Sequence, residues 1–172
     1  MSPNPIAQPS DLLSYPRKRL TLLEKSNLID TTPWAQDFTF MQIKRLAAYA
    51  DVYQVPMETV IFYEGDKNAF LVLIVTGRIH VVKFDSMHQA RHITTLGSGK
   101  TIGEMSLIDG EPRSASAVSA TEVTLLVITA EHFTRLLNEW PAVGTILVLK
   151  IAKLMSQYLR QTSGRLIDHL AG

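Results

Sequence analysis

Three textures of hydrophobic and polar positions follow one another along the chain. From about residue 11 to 52 the apolar residues recur at helical intervals. Leu12, Leu13, Leu20, Leu22, Leu23 and Leu28 predict one or two short helices, and Thr39 stands where it can cap another carrying Phe40, Ile43, Leu46, Ala47 and Ala50. From about 53 to 129 the apolar runs are short and broken by turn residues. Val60–Tyr63 stops at Glu64-Gly65-Asp66, and Phe70–Val75 stops at Thr76-Gly77, with Ile79–Phe84 following at once, so Thr76-Gly77 reads as a hairpin turn. His92–Leu96 is halted by Gly97-Ser98-Gly99, and Ala115–Ala120 with Val123–Ile128 reads as a last strand pair. Strands this short and closely spaced predict an antiparallel barrel or sandwich.

From 130 to 172 the helical period returns. Thr129 can cap a helix through Glu131–Glu139, and Pro141 can open another reaching about Ser163, where Gly164 can end it. Leu147, Ile151, Leu154 and Tyr158 step by four, three and four, as a coiled-coil seam does, beside a second stripe of Val148, Ala152, Met155 and Leu159. Two seams serve the chain's own barrel and a homodimer partner; one broad core face accounts for the same spacing. The class is α+β, mainly β, with residues 1–10, rich in Pro3, Pro5 and Pro9, expected to be a flexible tail.

Composition narrows the chemistry. The absence of cysteine excludes disulfides, Cys-ligated zinc and thiol catalysis, and points to a reducing, cytoplasmic setting. Seventeen basic against sixteen acidic residues is a weak balance for a protein held on DNA by phosphate contacts, and the single tight run Arg17-Lys18-Arg19 is too short to change that. No apolar run is expected to reach the roughly 18 residues of a membrane span, and Met1–Ser10 lacks the pattern of a signal peptide. His80, His88, His92, His132 and His169 are scattered, with no metal-ligand spacing, so no metal is expected. Ser106 and Ser114 have no histidine nearby to activate them, so no catalytic residues and no enzymatic activity are expected.

One segment departs from this plain pattern. Between two strands, Thr101–Ala115 inserts an apolar stub, Met105, Leu107 and Ile108, long enough for one or two helical turns. A helix start presents unpaired N–H groups, Gly103 before it permits close approach, and Arg113 offers a phosphate a planar fork of donors. Glu104 repels a phosphate, but it suits a neighbouring hydroxyl such as a ribose 2′-OH. An ordinary turn with an exposed arginine and a capping glutamate has the same residues.

Gly103-Glu104-Met105-Ser106-Leu107-Ile108, a three-residue spacer and Pro112-Arg113-Ser114-Ala115 resemble the phosphate-binding cassette of cyclic-nucleotide-binding domains. Pro56, Glu64-Gly65-Asp66 and Val75-Thr76-Gly77-Arg78 extend the likeness, which covers about residues 28–163. The resemblance implies an antiparallel β-roll or jelly-roll, flanked by N-terminal helices and a long C-terminal helix, that senses a cyclic nucleotide, cAMP first and cGMP second, and needs no cofactor. It implies that Glu104 and the Gly103 backbone hold the ribose 2′-OH. Arg113 then pairs with the phosphate, helped by the Ser106 and Ser114 amides and the Ser114 hydroxyl, with Met105 also among the ligand-binding residues. Val81 and Ile93 pack on the base. Leu159–Ser163 is similar to the dimer helix of the bacterial transcription-factor branch, whose matching Thr-Ser pair, here Thr162 and Ser163, reaches the base across the dimer. Ser106 stands where the family more often has alanine. No DNA-reading domain is recognisable up to Gly172, so direct DNA contact is not expected of these residues, and the effector is an unnamed protein partner. An interaction module that retains the fold without the nucleotide, or the sensor half of a regulator, are the alternatives.

Overall fold

Side-chain caps set the N-terminal helices. In α1 (Leu22–Asp30) Thr21 accepts from the Glu24 N–H while Glu24 accepts from the Thr21 N–H, and Thr39 and Gln42 repeat the arrangement at the start of α2 (Phe40–Ala48). The computed structural model describes residues 12–87 and 89–171; the tail expected at 1–10 lies outside them, as does His88. Eight strands follow the helices: β1 (Asp51–Val55), β2 (Val60–Phe62), β3 (Phe70–Thr76), β4 (Arg78–Phe84), β5 (Ala90–Gly97), β6 (Thr101–Ile102), β7 (Ser116–Ser119) and β8 (Val123–Thr129). A helix α3 (Glu104–Asp109) separates β6 from β7, and α4 (Ala130–Glu139) and α5 (Pro141–Ala171) close the chain.

The strands form two antiparallel four-stranded sheets, ordered β1-β8-β3-β6 and β2-β7-β4-β5. Two pairings expected from the sequence are corrected here. Thr76-Gly77 is not a hairpin turn, because β3 and β4 belong to different sheets, and β7 and β8 do not pair for the same reason. Gly77 makes the corner between sheets: its φ is +85°, and a Cβ there would run into the Thr121–Val123 turn. Short strands joined by few residues look alike whether the chain folds back or crosses over.

The unbroken apolar run of β3 has a simple cause: both of its faces are covered. Phe70, Val72 and Ile74 enter a core between the sheets with Tyr53, Ile61, Ile79, Leu125 and Val127. Leu71, Leu73 and Val75 point the other way, into a second core beneath the helices with Ile29, Ile43, Leu46, Phe133, Leu136, Leu147 and Ile151. Leu107 of α3 joins this second core, which ties the insert to the helices. Each such aliphatic side chain contributes about 1.5–3 kcal/mol.

Thr129 caps α4 by accepting from the His132 N–H. Pro141 opens α5 as expected, but the helix does not end at Gly164; it continues to Ala171. A glycine inside a helix costs only about 1 kcal/mol, too little to stop one. An 18-residue window within Pro141–Gly164 has a mean hydropathy of 1.3, enough by length and composition alone to cross a membrane, although Lys150 and Lys153 interrupt the apolar run. Here Val143, Leu147 and Ile151 are buried in the helical core, and Lys150 pairs with Asp37 above the Trp34 ring. Of the two stripes, the first packs inward, while Leu159 of the second is 69% exposed.

Candidate functional site

Arg113 lies inside the protein, 2% exposed. Its Nη1 donates to the Gly103 carbonyl at 3.0 Å and its Nη2 to the Phe70 carbonyl at 3.1 Å, while the guanidinium carbon sits 4.2 Å from the Phe62 ring centroid and 4.3 Å from that of Phe70. Dipoles and ring faces therefore surround this cation. Its backbone is equally fixed. The Arg113 N–H donates to the Asp66 carbonyl and the Gly65 N–H to the Arg113 carbonyl, both at 2.8 Å, so the Glu64-Gly65-Asp66 turn clamps the arginine from outside. Asp66 shapes that turn by accepting from the Tyr63 N–H.

Gly103 takes φ +83°, where a Cβ would collide with the Phe70 carbonyl and Arg113 Nη1. Glycine is thus required twice, for conformation and for room. It caps α3, whose first residue, Glu104, is also buried. Burial drives the Glu104 carboxyl above the usual carboxylate range, against the opposing pull of its own backbone N–H and of the Arg113 charge. Its Oε2 is enclosed and accepts no hydrogen bond from the protein. Burial and then the Glu104 charge raise the Tyr158 hydroxyl's pKa, and Leu107 of α3 shares a core with Leu147 and Ile151 of α5.

The remaining predicted residues divide into groups. Ser106 is buried, with its carbonyl accepting from the Gly110 N–H. Ser114 is exposed, its Oγ 3.8 Å from Met105 Sδ, which places those two residues beside each other at the rim. Val81 follows buried Ile79 at strand period, and a bulge in β5 governs Ile93: Val81 pairs with Thr94 and Val82 with His92, leaving Ile93 as the extra residue. His92 and Thr95 are hydrogen-bonded on the outer face, so Ile93 and Thr94 between them both turn to the Val81 side. Ile93 is 49% exposed there, an apolar surface next to half-buried Val81. Thr162 and Ser163 are exposed on α5, one turn beyond Tyr158.

Several contributors escape a reading of the sequence. Phe62 and Phe70 look like ordinary core residues, and nothing local shows that their rings flank a guanidinium. Lys83 does leave a signal, a charge on the inward period Ile79–Val81–Lys83, and its Nζ donates to the Ser114 carbonyl at 3.1 Å. His80 and His92 meet over the Thr95 hydroxyl on the outer face, at 2.8 and 2.9 Å. Among the described residues no group of three metal-ligating side chains occurs.

The family model for the cyclic nucleotide-binding domain matches residues 53–139, just over half of the chain. The cyclic AMP receptor protein of Thermus thermophilus is 34% identical over 106 residues, covering 62% of this chain and 47% of that protein. A cyclic nucleotide-gated potassium channel of Rhizobium etli is 39% identical over 90 residues, 52% of this chain and 24% of the channel. The chain thus spans half or less of the length of these relatives. Among solved structures, a cyclic nucleotide-binding domain from Methylobacillus flagellatus superposes with a TM-score of 0.74 at 29% identity, covering 85% of this chain and 82% of that one. The Thermus thermophilus catabolite activator protein superposes with 0.68 at 30% identity, covering 78% and 62%.

Proposed function

The chain belongs to the cyclic-nucleotide-binding domain family, and on that premise we propose that it is a non-enzymatic cytoplasmic sensor whose ligand is cAMP, with cGMP second. One observation carries this reading. A buried guanidinium and a buried carboxylate with an unused acceptor oxygen lie within electrostatic reach of each other, in a loop fixed by Gly103 and the Glu64–Asp66 turn. A buried guanidinium whose fork of donors faces carbonyls and rings suits a phosphate as a further acceptor, and a buried carboxylate oxygen with no donor costs free energy until a hydroxyl donates to it. A cyclic ribose phosphate supplies both from one rigid molecule.

Arg113 takes the phosphate, with the Ser106 and Ser114 amides and the Ser114 hydroxyl. Glu104 and the Gly103 backbone take the ribose 2′-OH, Met105 lines the rim, and Val81 and Ile93 offer the base an apolar surface. Ligand at Glu104 changes the charge that Tyr158 meets, so α5 repacks and its exposed Leu159 is displayed differently to a homodimer mate or effector protein. Thr162 and Ser163 are the residues of that helix placed to approach the base from the mate.

Isothermal titration with cAMP and cGMP tests the site. A charge-assisted hydrogen bond contributes about 1.5–3 kcal/mol, so Arg113→Lys, which keeps the charge but loses the fork, weakens binding at least about tenfold while the far-ultraviolet spectrum stays unchanged. Wild-type affinity in that variant would remove Arg113 from the site. A second reading, an interaction module without a nucleotide, draws support from the way Arg113 is already bonded to two carbonyls. The absence of any thermal shift with saturating cAMP or cGMP would favour it.

A further inference from the structure

The insert is not the only charged element at this rim. Lys83 follows Ile79 and Val81 at strand period, on the face of β4 that looks towards the insert, and its Nζ donates to the carbonyl of Ser114, the residue after Arg113. The same ammonium lies 3.6 Å from Oε1 of Glu64, and Oε2 of Glu64 accepts from the Phe84 N–H at 3.1 Å. Glu64 in turn belongs to the turn that clamps the Arg113 backbone. Arg91, which pairs with Lys83 across the strands, is engaged by Asp85 at 2.8 Å. The Lys83 and Glu64 side chains are 52% and 28% exposed, so both are within reach of a ligand entering at Ser114.

We propose that Lys83 is a second cation of the nucleotide site, directed at the ligand's anionic phosphate, and that Glu64 holds it in check until the ligand arrives. This rests on the cyclic-nucleotide reading above. A flexible four-carbon stem lets the ammonium move without disturbing β4, whereas Arg113 is fixed in place. The charge acts over a few ångströms through partly wet surroundings, so its effect is modest and is screened by salt. Glu64 opposes it twice, by pairing with Lys83 and by placing a negative charge near the phosphate.

Isothermal titration with cAMP at about 50 mM and about 300 mM salt tests this in four variants. Lys83→Met weakens binding by about three- to tenfold at low salt, with the deficit shrinking at high salt, and Lys83→Arg restores it. Glu64→Gln tightens binding, because its amide oxygen still accepts from the Phe84 N–H while the competing charge is gone. A purely structural clasp predicts the opposite sign for Glu64→Gln, a loss parallel to that of Lys83→Met, and that result would overturn the proposal. Wild-type affinity in Lys83→Met alongside a loss in Arg113→Lys would overturn Lys83 alone. If the wild-type chain binds neither cAMP nor cGMP, both readings fall together.

Discussion

Glu104 shows how a single side chain can be costly to the fold and useful to the ligand. Its carboxyl is raised above the unfolded value near 4.5 chiefly by burial, so its ionisation works against folding as the pH climbs past that value towards neutrality. The contribution to stability is present below pH 4.5 and lost as pH rises through the folded pKa. Glu104→Gln is therefore expected to raise the melting temperature of the ligand-free protein at pH 7, by about 2–4 °C for each kcal/mol recovered, and to have little effect near pH 4. The same substitution weakens cAMP binding, because an amide is a poorer acceptor for a hydroxyl. A melting temperature at pH 7 below that of the wild type would contradict this account of Glu104. In the sequence Glu104 is legible as a candidate from its neighbours, but not its cost, since burial is created by residues far away in the chain.

At the scale of the element, the insert works because its two ends are pinned by residues outside it. Gly103 lets β6 turn into α3 against the Phe70 carbonyl and Arg113, and the Glu64–Asp66 turn holds the far end. Gly103→Ala imposes an unfavourable φ, about 1–3 kcal/mol, and pushes Arg113 off its carbonyls. Thermal melting should show a loss of that size, and titration should show the cAMP affinity falling as well. A variant that loses stability but binds normally would show that the insert does not need Arg113 in this position. The caps of α2 and α4 were readable beforehand, because Thr39 and Thr129 act on backbone groups three residues away, whereas the Thr21 cap of α1 emerged only from the structure. The sheet partners were not: Thr76-Gly77 has the composition of a hairpin turn, and only the packing of Gly77 on Thr121–Val123 reveals a corner.

At the scale of the molecule, α5 packs Leu147, Val148, Ile151, Leu154 and Met155 on the helical core and leaves Leu159 exposed. Leu147 is fully buried, so Leu147→Ala should cost about 2–5 kcal/mol and lower the melting temperature whatever the oligomeric state. Leu159 is largely exposed, and Leu159→Glu should leave the fold intact while reducing the dimer fraction measured by light scattering. A monomeric mass for the wild-type chain would remove the dimer from the proposal. What the sequence alone determined was local or periodic: the caps of α2 and α4, the short strands and the apolar period of α5. The spacing of Gly103, Glu104 and Arg113, by likeness to a known family, added the candidate site. Tertiary structure alone decided which strands share a sheet, that Phe62 and Phe70 flank Arg113, that the β5 bulge turns Ile93 to the Val81 side, and that Lys83 and Glu64 meet at the rim. The physical reason is range. Capping and periodicity act within a few residues, whereas burial, ring contacts and charge pairing depend on groups that only the packing of two sheets and five helices brings together.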